Sequence, residues 1–158
     1  MDLKEYQICA MNTAIYPQHW SPAYQCLGLC GEVGELREKM HTMGVKRQDL
    51  ILELGDIMWY CATLTKGVGV DLIEVQSPRG VMEVLAMQAA EKTKRICRSG
   101  HTEELALEIQ QIVGRIITEI RYISKIYDIE LEDILKQNIE KLKDRKERGV
   151  LHSSGDQR

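Results

Sequence analysis

QDLILELGDIMWYCATLTK, residues 48–66, is the stretch that decides the fold class. Leu50, Leu54, Ile57, Cys61 and Leu64 recur every three or four residues, the period of an α-helix with one buried side. Glu53 and Asp56 lie beside this apolar row, and their spacing sets them only about 60° apart around the axis. The stretch therefore reads as a core helix, from about Gln48 to Lys66, that carries two carboxylates at its edge.

The segment before it repeats the arrangement. Ser21 and then Pro22 predict a helix start, a hydroxyl cap followed by a proline whose missing N–H is no loss. That helix should run to about Met43, burying Leu29, Val33, Leu36 and Met40 and stopping at Gly44, with Glu32 and Glu35 on one side. A first helix covers about Leu3 to Ile15, ahead of Pro17. Beyond the core helix, Gly67 and Gly69 are breakers, and Asp71 with Glu74 has capping-box spacing. A fourth helix follows Ser77–Pro78, from about Gly80 to Arg98. Thr102 caps a fifth, striped by Ile109, Ile112, Ile116, Ile120 and Ile123, and a sixth spans about Leu131 to Arg148.

The expected architecture is an all-α bundle of about five to six helices, with residues 1–150 as one domain and 151–158 as a flexible tail. A faint internal repeat supports pairing of the halves. Gly55, Ile57, Lys66 and Leu72 recur as Gly114, Ile116, Lys125 and Leu131. The second copy has lost its acids: Glu35, Glu53 and Asp56 map onto Lys94, Ile112 and Arg115, and only Glu32 is matched, by Glu91. Residues from about Ser77 to Asp128 thus read as a structural counterpart.

Composition narrows the function classes. The 158 residues are 44% hydrophobic and 28% charged, with no phenylalanine, as expected of a globular helical protein. A net charge of -3 argues for neither a nucleic-acid nor a membrane partner. Cys9, Cys26, Cys30, Cys61 and Cys97 form no C-x-x-C pair and read as reduced thiols. MDLKEYQICAMN lacks the apolar run of a signal peptide, and no stretch approaches the roughly 20 apolar residues of a membrane span, so a cytoplasmic protein is expected.

The acidic pairs carry the chemistry. Carboxylates at a helix–helix seam repel one another and resist desolvation unless something positive lies between them. A hard divalent cation resolves this, and all-oxygen donors suit Mg2+, with Mn2+ as substitute. The alternative is an ordinary solvated acidic face. Gly28, Gly31, Gly34 and Gly55 are poor helix formers and imply close approach of a neighbour or ligand. Trp59 could line a base pocket or simply fill core. Asn138, Lys141, Arg145 and Arg148 share one helix face suited to phosphate oxygens, beside a docking stripe of Leu135, Ile139 and Leu142.

GEVGEL (31–36) followed by LELGDIMWY (52–60) resembles the E-x-x-E, spacer, E-x-x-D signature of the MazG-like all-α nucleoside triphosphate pyrophosphohydrolases. That group includes dimeric dUTPases and phosphoribosyl-ATP pyrophosphohydrolases. The segment Tyr6 to Pro17 and the stretch NIEKLKDRKERGVLHSSGDQR (138–158) resemble theirs too, so the likeness covers residues 1–75 and 129–158. Many members carry a further acid where this chain has Gly31, which bears on how many ions are held.

The resemblance implies Mg2+-dependent hydrolysis of (deoxy)nucleoside triphosphates to monophosphate and pyrophosphate. Glu32, Glu35, Glu53 and Asp56 would hold metal, with Glu35, Glu53 and Asp56 catalytic and Glu35 helping to orient or deprotonate water. Asn138, Lys141, Arg145, Arg148 and Trp59 would contact substrate, Ser153 to Asp156 would close over it, and the chain would form a homodimer or homotetramer. A narrow dUTP or phosphoribosyl-ATP enzyme and an inactive helical nucleotide-binding module are the alternatives.

Overall fold

A computed structural model describes residues 1–151, and among these the chain forms six α-helices and one short 3-10 turn, with no strand. The helices are α1 (Leu3–Met11), α2 (Ala23–His41), α3 (Arg47–Gly67), α4 (Met82–Ser99), α5 (Glu103–Ile126) and α6 (Leu131–Glu147), with the 3-10 turn at Gln18–Trp20. The all-α bundle expected from the apolar periodicity is the observed fold. Of the tail expected at 151–158, all but Leu151 lies outside the described residues.

Four helices close a ring. α2 packs on α3 and on α4, α4 packs on α5, and α5 returns to α3. α1 and α6 lie against α3 and against each other. Helix α3 therefore has neighbours on nearly every side, and it buries Ile51, Met58 and Ala62 as well as the predicted row of Leu50, Leu54, Ile57, Cys61 and Leu64. A helix apolar around most of its circumference belongs in the interior. On α5 the stripe of Ile109, Ile112, Ile116 and Ile120 is buried, and Ile123 packs at its margin. The counterpart read at residues 77–128 supplies α4 and α5, which complete the ring.

Helix ends follow local chemistry. Asp2 caps α1 by accepting from the Glu5 N–H at 2.8 Å, while Glu5 accepts from the Asp2 N–H at 3.0 Å. Thr102 caps α5 as expected, accepting from the Leu105 N–H at 3.2 Å. Other expectations need correction. α1 ends at Met11, short of Ile15, where the Asn12 N–H turns back onto helix carbonyls. Ser21 caps nothing: its Oγ accepts from Gln25 Nε2 at 2.9 Å, and α2 begins after Pro22 without a side-chain cap. α2 ends at His41 and not at Met43, with Thr42 at its C-cap and Gly44 beyond at φ 77°.

Asp71 and Glu74 start no helix. Residues 70–81 have no helical structure and lie along α5, where the Val75 N–H donates to the Gly114 carbonyl at 3.2 Å and Thr118 Oγ1 donates to the Val75 carbonyl at 2.6 Å. Glu74 instead accepts from Arg121 at 2.9 and 2.8 Å. Buried Glu119 accepts from the Gly80 N–H at 2.6 Å, which pins the far end of the segment.

Gly114 is the place where this strap needs the absence of a side chain. A Cβ there would stand 2.5 Å from Val75 Cγ2 and 3.0 Å from the Ile73 carbonyl oxygen. Gly114→Ala should destabilise the protein by about 1–3 kcal/mol through overpacking. Gly34→Ala, whose Cβ meets nothing within 4 Å, should instead stabilise by about 0.5–1 kcal/mol. Urea denaturation of the two variants checks the opposite signs.

Candidate metal centre

Helices α2 and α3 are direct neighbours, and their seam gathers the acids. One carboxylate oxygen from each of Glu32, Glu35 and Glu53 lies within 4.8 Å of the other two. Their surroundings are graded: Glu35 is exposed, Glu32 half-buried, and Glu53 only 1% exposed. Adjacent donors around an octahedral Mg2+ sit about 3 Å apart and opposite ones about 4 Å apart, given metal–oxygen distances of about 2.0–2.1 Å. The trio is therefore nearly closed enough for such an ion, and its donors are of the right kind.

Asp56, expected as a fourth ligand, is not part of this trio. Its carboxylate is held from α6. Lys141 Nζ donates to both oxygens at 2.8 and 2.6 Å, and Asn138 Nδ2 donates to Oδ1 at 3.0 Å. Asp56 still acts on the trio through space. Burial first, and then the charges of Asp56, Glu35 and Glu53 against the opposing Lys141, push the Glu32 carboxyl up to about 8. At Glu32 the neighbouring acids and burial outweigh the opposing Lys141, which is the electrostatic condition a cation relieves.

Asn138 links Tyr6 to Asp56. It is buried against Gly55, whose Cβ would come within 3.0 Å of the Asn138 Cβ. Its Oδ1 accepts from the Tyr6 hydroxyl at 2.7 Å, so its amide nitrogen must face Asp56. Burial and the nearby Asp56 raise the Tyr6 phenol well above its ordinary value, which keeps it a donor. The chain of contacts runs Tyr6, Asn138, Asp56, Lys141, joining α1, α6 and α3.

The remaining predicted substrate residues spread along α6. Lys141 is mostly buried over Asp56, Arg145 is half-buried, and Arg148 is exposed and pairs with Asp144 at 2.7 Å. The row thus rises from the interior to the surface. Ser153 to Asp156 lie outside the described residues.

Trp59 sits in an aromatic group. Its Nε1 donates to Thr13 Oγ1 at 2.9 Å, and its ring meets Tyr60 edge-on at 5.0 Å and Tyr16 at 6.3 Å. Tyr16 stacks on Tyr24 at 5.2 Å. Burial, then Tyr24, and then Glu32 and Asp56 raise the Tyr60 phenol, so this group adjoins the acids. Glycine serves it directly: a Cβ at Gly28 would overlap the Tyr60 ring at 2.1 Å. Gly28 and Gly55 thus admit close neighbours as expected, whereas Gly31 and Gly34 face open space among the described residues.

Sequence reasoning passed over Lys39, which makes a close ion pair with Glu53. Its signal was present, since it follows Glu35 by one helical turn on the acidic face of α2. Tyr6, Tyr16 and Tyr24 were passed over as well, and nothing in their spacing ties them to the acids, whereas Tyr60 stands one helical turn beyond Asp56 on α3.

No family profile matches the chain, and no solved structure matches it. It is 39% identical over 90 residues to the Gene 37 protein of Mycobacterium phage L5, a match that takes in 48% of this chain and 79% of that protein. At that identity and coverage, the chain belongs to the same family as the Gene 37 protein of this phage.

Proposed function

We propose that the protein hydrolyses (deoxy)nucleoside triphosphates to the monophosphate and pyrophosphate with Mg2+, or Mn2+ in its place, as the MazG-like resemblance implies. The observation that carries this reading is the approach of Glu32, Glu35 and Glu53 within 4.8 Å across the α2–α3 seam. These three would hold the ion. Bound Mg2+ supplies charge to phosphate oxygens and lowers the pKa of a coordinated water. Glu35 is the exposed member, and it would orient or deprotonate a water entering from solvent. Asp56, fixed by Asn138 and Lys141, adds negative charge next to the trio. Lys141, Arg145 and Arg148 rise from that point and suit the leaving pyrophosphate. The aromatic group around Trp59 suits a base.

Such a reaction draws on cytoplasmic nucleotides, and among the described residues no helix is long and apolar enough to cross a membrane. We also assign the chain a homo-oligomeric state, either dimer or tetramer. Leu27 is 75% and Met87 66% exposed on α2 and α4, which pack on each other, and these side chains would supply apolar contacts to a second copy.

Glu53→Gln and Glu35→Gln should each lower turnover by about 100-fold or more while leaving the helical circular dichroism unchanged. Chelation should abolish activity and Mg2+ should restore it. Pyrophosphate release across a panel of ribo- and deoxyribonucleotides tests this. Response to one nucleotide alone marks a dUTPase or phosphoribosyl-ATP enzyme, and no response marks a binding module. Asn138→Ala should cost about 10–100-fold in turnover without removing a metal contact, and the paired measurement is an unchanged Mn2+ affinity.

Glu32 yields a pH prediction. Its folded-state pKa near 8 lies above the ordinary 4.5, so the folded protein binds this proton more tightly than the unfolded chain. Stability from Glu32 is therefore complete below pH 4.5 and falls as pH rises toward 8. Denaturation midpoints in chelator should fall across that window for the natural protein relative to Glu32→Gln. Parallel curves would contradict the assignment.

A further inference from the structure

The Lys39–Glu53 pair sits inside the proposed ion site. Lys39 follows Glu32 and Glu35 on the same face of α2, and its ammonium is bonded to Oε1 of Glu53, the most buried of the three acids. Burying the Glu53 carboxylate requires a partner of opposite charge, and Lys39 meets that need. A divalent ion held by the trio must also use a Glu53 oxygen. Ammonium and metal would then share one carboxylate a few ångströms apart, in a setting where like charges are poorly screened.

Resting on the metal reading above, we infer that Lys39 is the resident counter-ion of the trio, and that a divalent cation enters by displacing it. The comparison with Lys141 decides which lysine yields. Lys141 is 12% exposed and grips both oxygens of Asp56, which lies outside the trio. Lys39 is 37% exposed and reaches its acid from α2 on a flexible stem. Once displaced, the Lys39 ammonium remains at the rim of the site as a donor for anions carried by the incoming ligand, the phosphate oxygens of a nucleotide in the reading above. Lys39 thereby sets the metal affinity: it holds the acids together before the ion arrives, and it competes with the ion for them.

The test is calorimetric titration of the full chain with MgCl2 and with MnCl2, comparing the natural protein with Lys39→Met, which keeps the stem and removes the charge. The variant should bind either ion at least ten-fold more tightly. It should also melt at a lower temperature without metal, and the gap should narrow at saturating Mg2+. A variant with equal or weaker affinity overturns the inference while leaving the metal site in place. Binding by the variant alone supports it, and binding by neither protein overturns both it and the metal reading. If Lys39→Met does not fold, 15N spectra of the lysine ammonium groups in the natural protein decide the matter. The Lys39 signal should be protected from exchange without metal and lose that protection as MgCl2 is added. A signal unchanged at saturating Mg2+, with binding confirmed by calorimetry, refutes displacement.

Discussion

Like charges forced together at the edge of an apolar interior are the constraint around which this molecule is arranged. Glu53 is almost wholly buried, with Glu32 and Glu35 beside it and Asp56 near enough to raise the Glu32 carboxyl. Removing one partner from a buried ion pair costs about 3–5 kcal/mol, a large share of the stability of a small domain. Lys39 and Lys141 each answer one acid, and each comes from a different helix. Every element that touches α3 on this side therefore serves electrostatics as well as packing.

The helical frame makes such crowding tolerable. α3 is packed by α2, α5, α1 and α6, so its backbone has little freedom to relax away from the repulsion. Glycine at 28 and 55 allows that packing to be close, with the Tyr60 ring and the Asn138 side chain in the space a Cβ would take. The hydrogen bonds from Tyr6 through Asn138 to Asp56 extend the same rigidity to the carboxylate itself. Charge fixed in this way needs little reorganisation when a ligand arrives.

Periodicity made the bundle legible, because apolar spacing reports directly on helix faces, and the acids were legible because E-x-x-E and E-x-x-D stand out at the edge of such faces. What escaped was settled by contacts between segments far apart in the chain. Asn138 read as a phosphate-facing amide in line with Lys141, Arg145 and Arg148, but a tyrosine at position 6 and a glycine at 55 draw it inside. Asp71 and Glu74 had the spacing of a cap, yet Arg121 claims Glu74 and Gly114 claims the backbone of Val75. Ser21 had the right type for a cap but spent its hydroxyl on Gln25. Local signals predict what a residue can do, and the tertiary partner decides which option is taken.

The contacts of Asp56 span most of the molecule: 82 residues separate it from Asn138 and 85 from Lys141. During synthesis Asp56 leaves the ribosome well before its partners Asn138 and Lys141 on α6, whereas Glu53 follows Lys39, its partner on α2. A nascent chain with only its first helices exposed holds an acid-rich surface with no partner from the C-terminal helix, and α3 has an uncovered flank. The pairing of Asp56 with Asn138 and Lys141 therefore waits until α6 has emerged, so this side of the seam is completed late in synthesis.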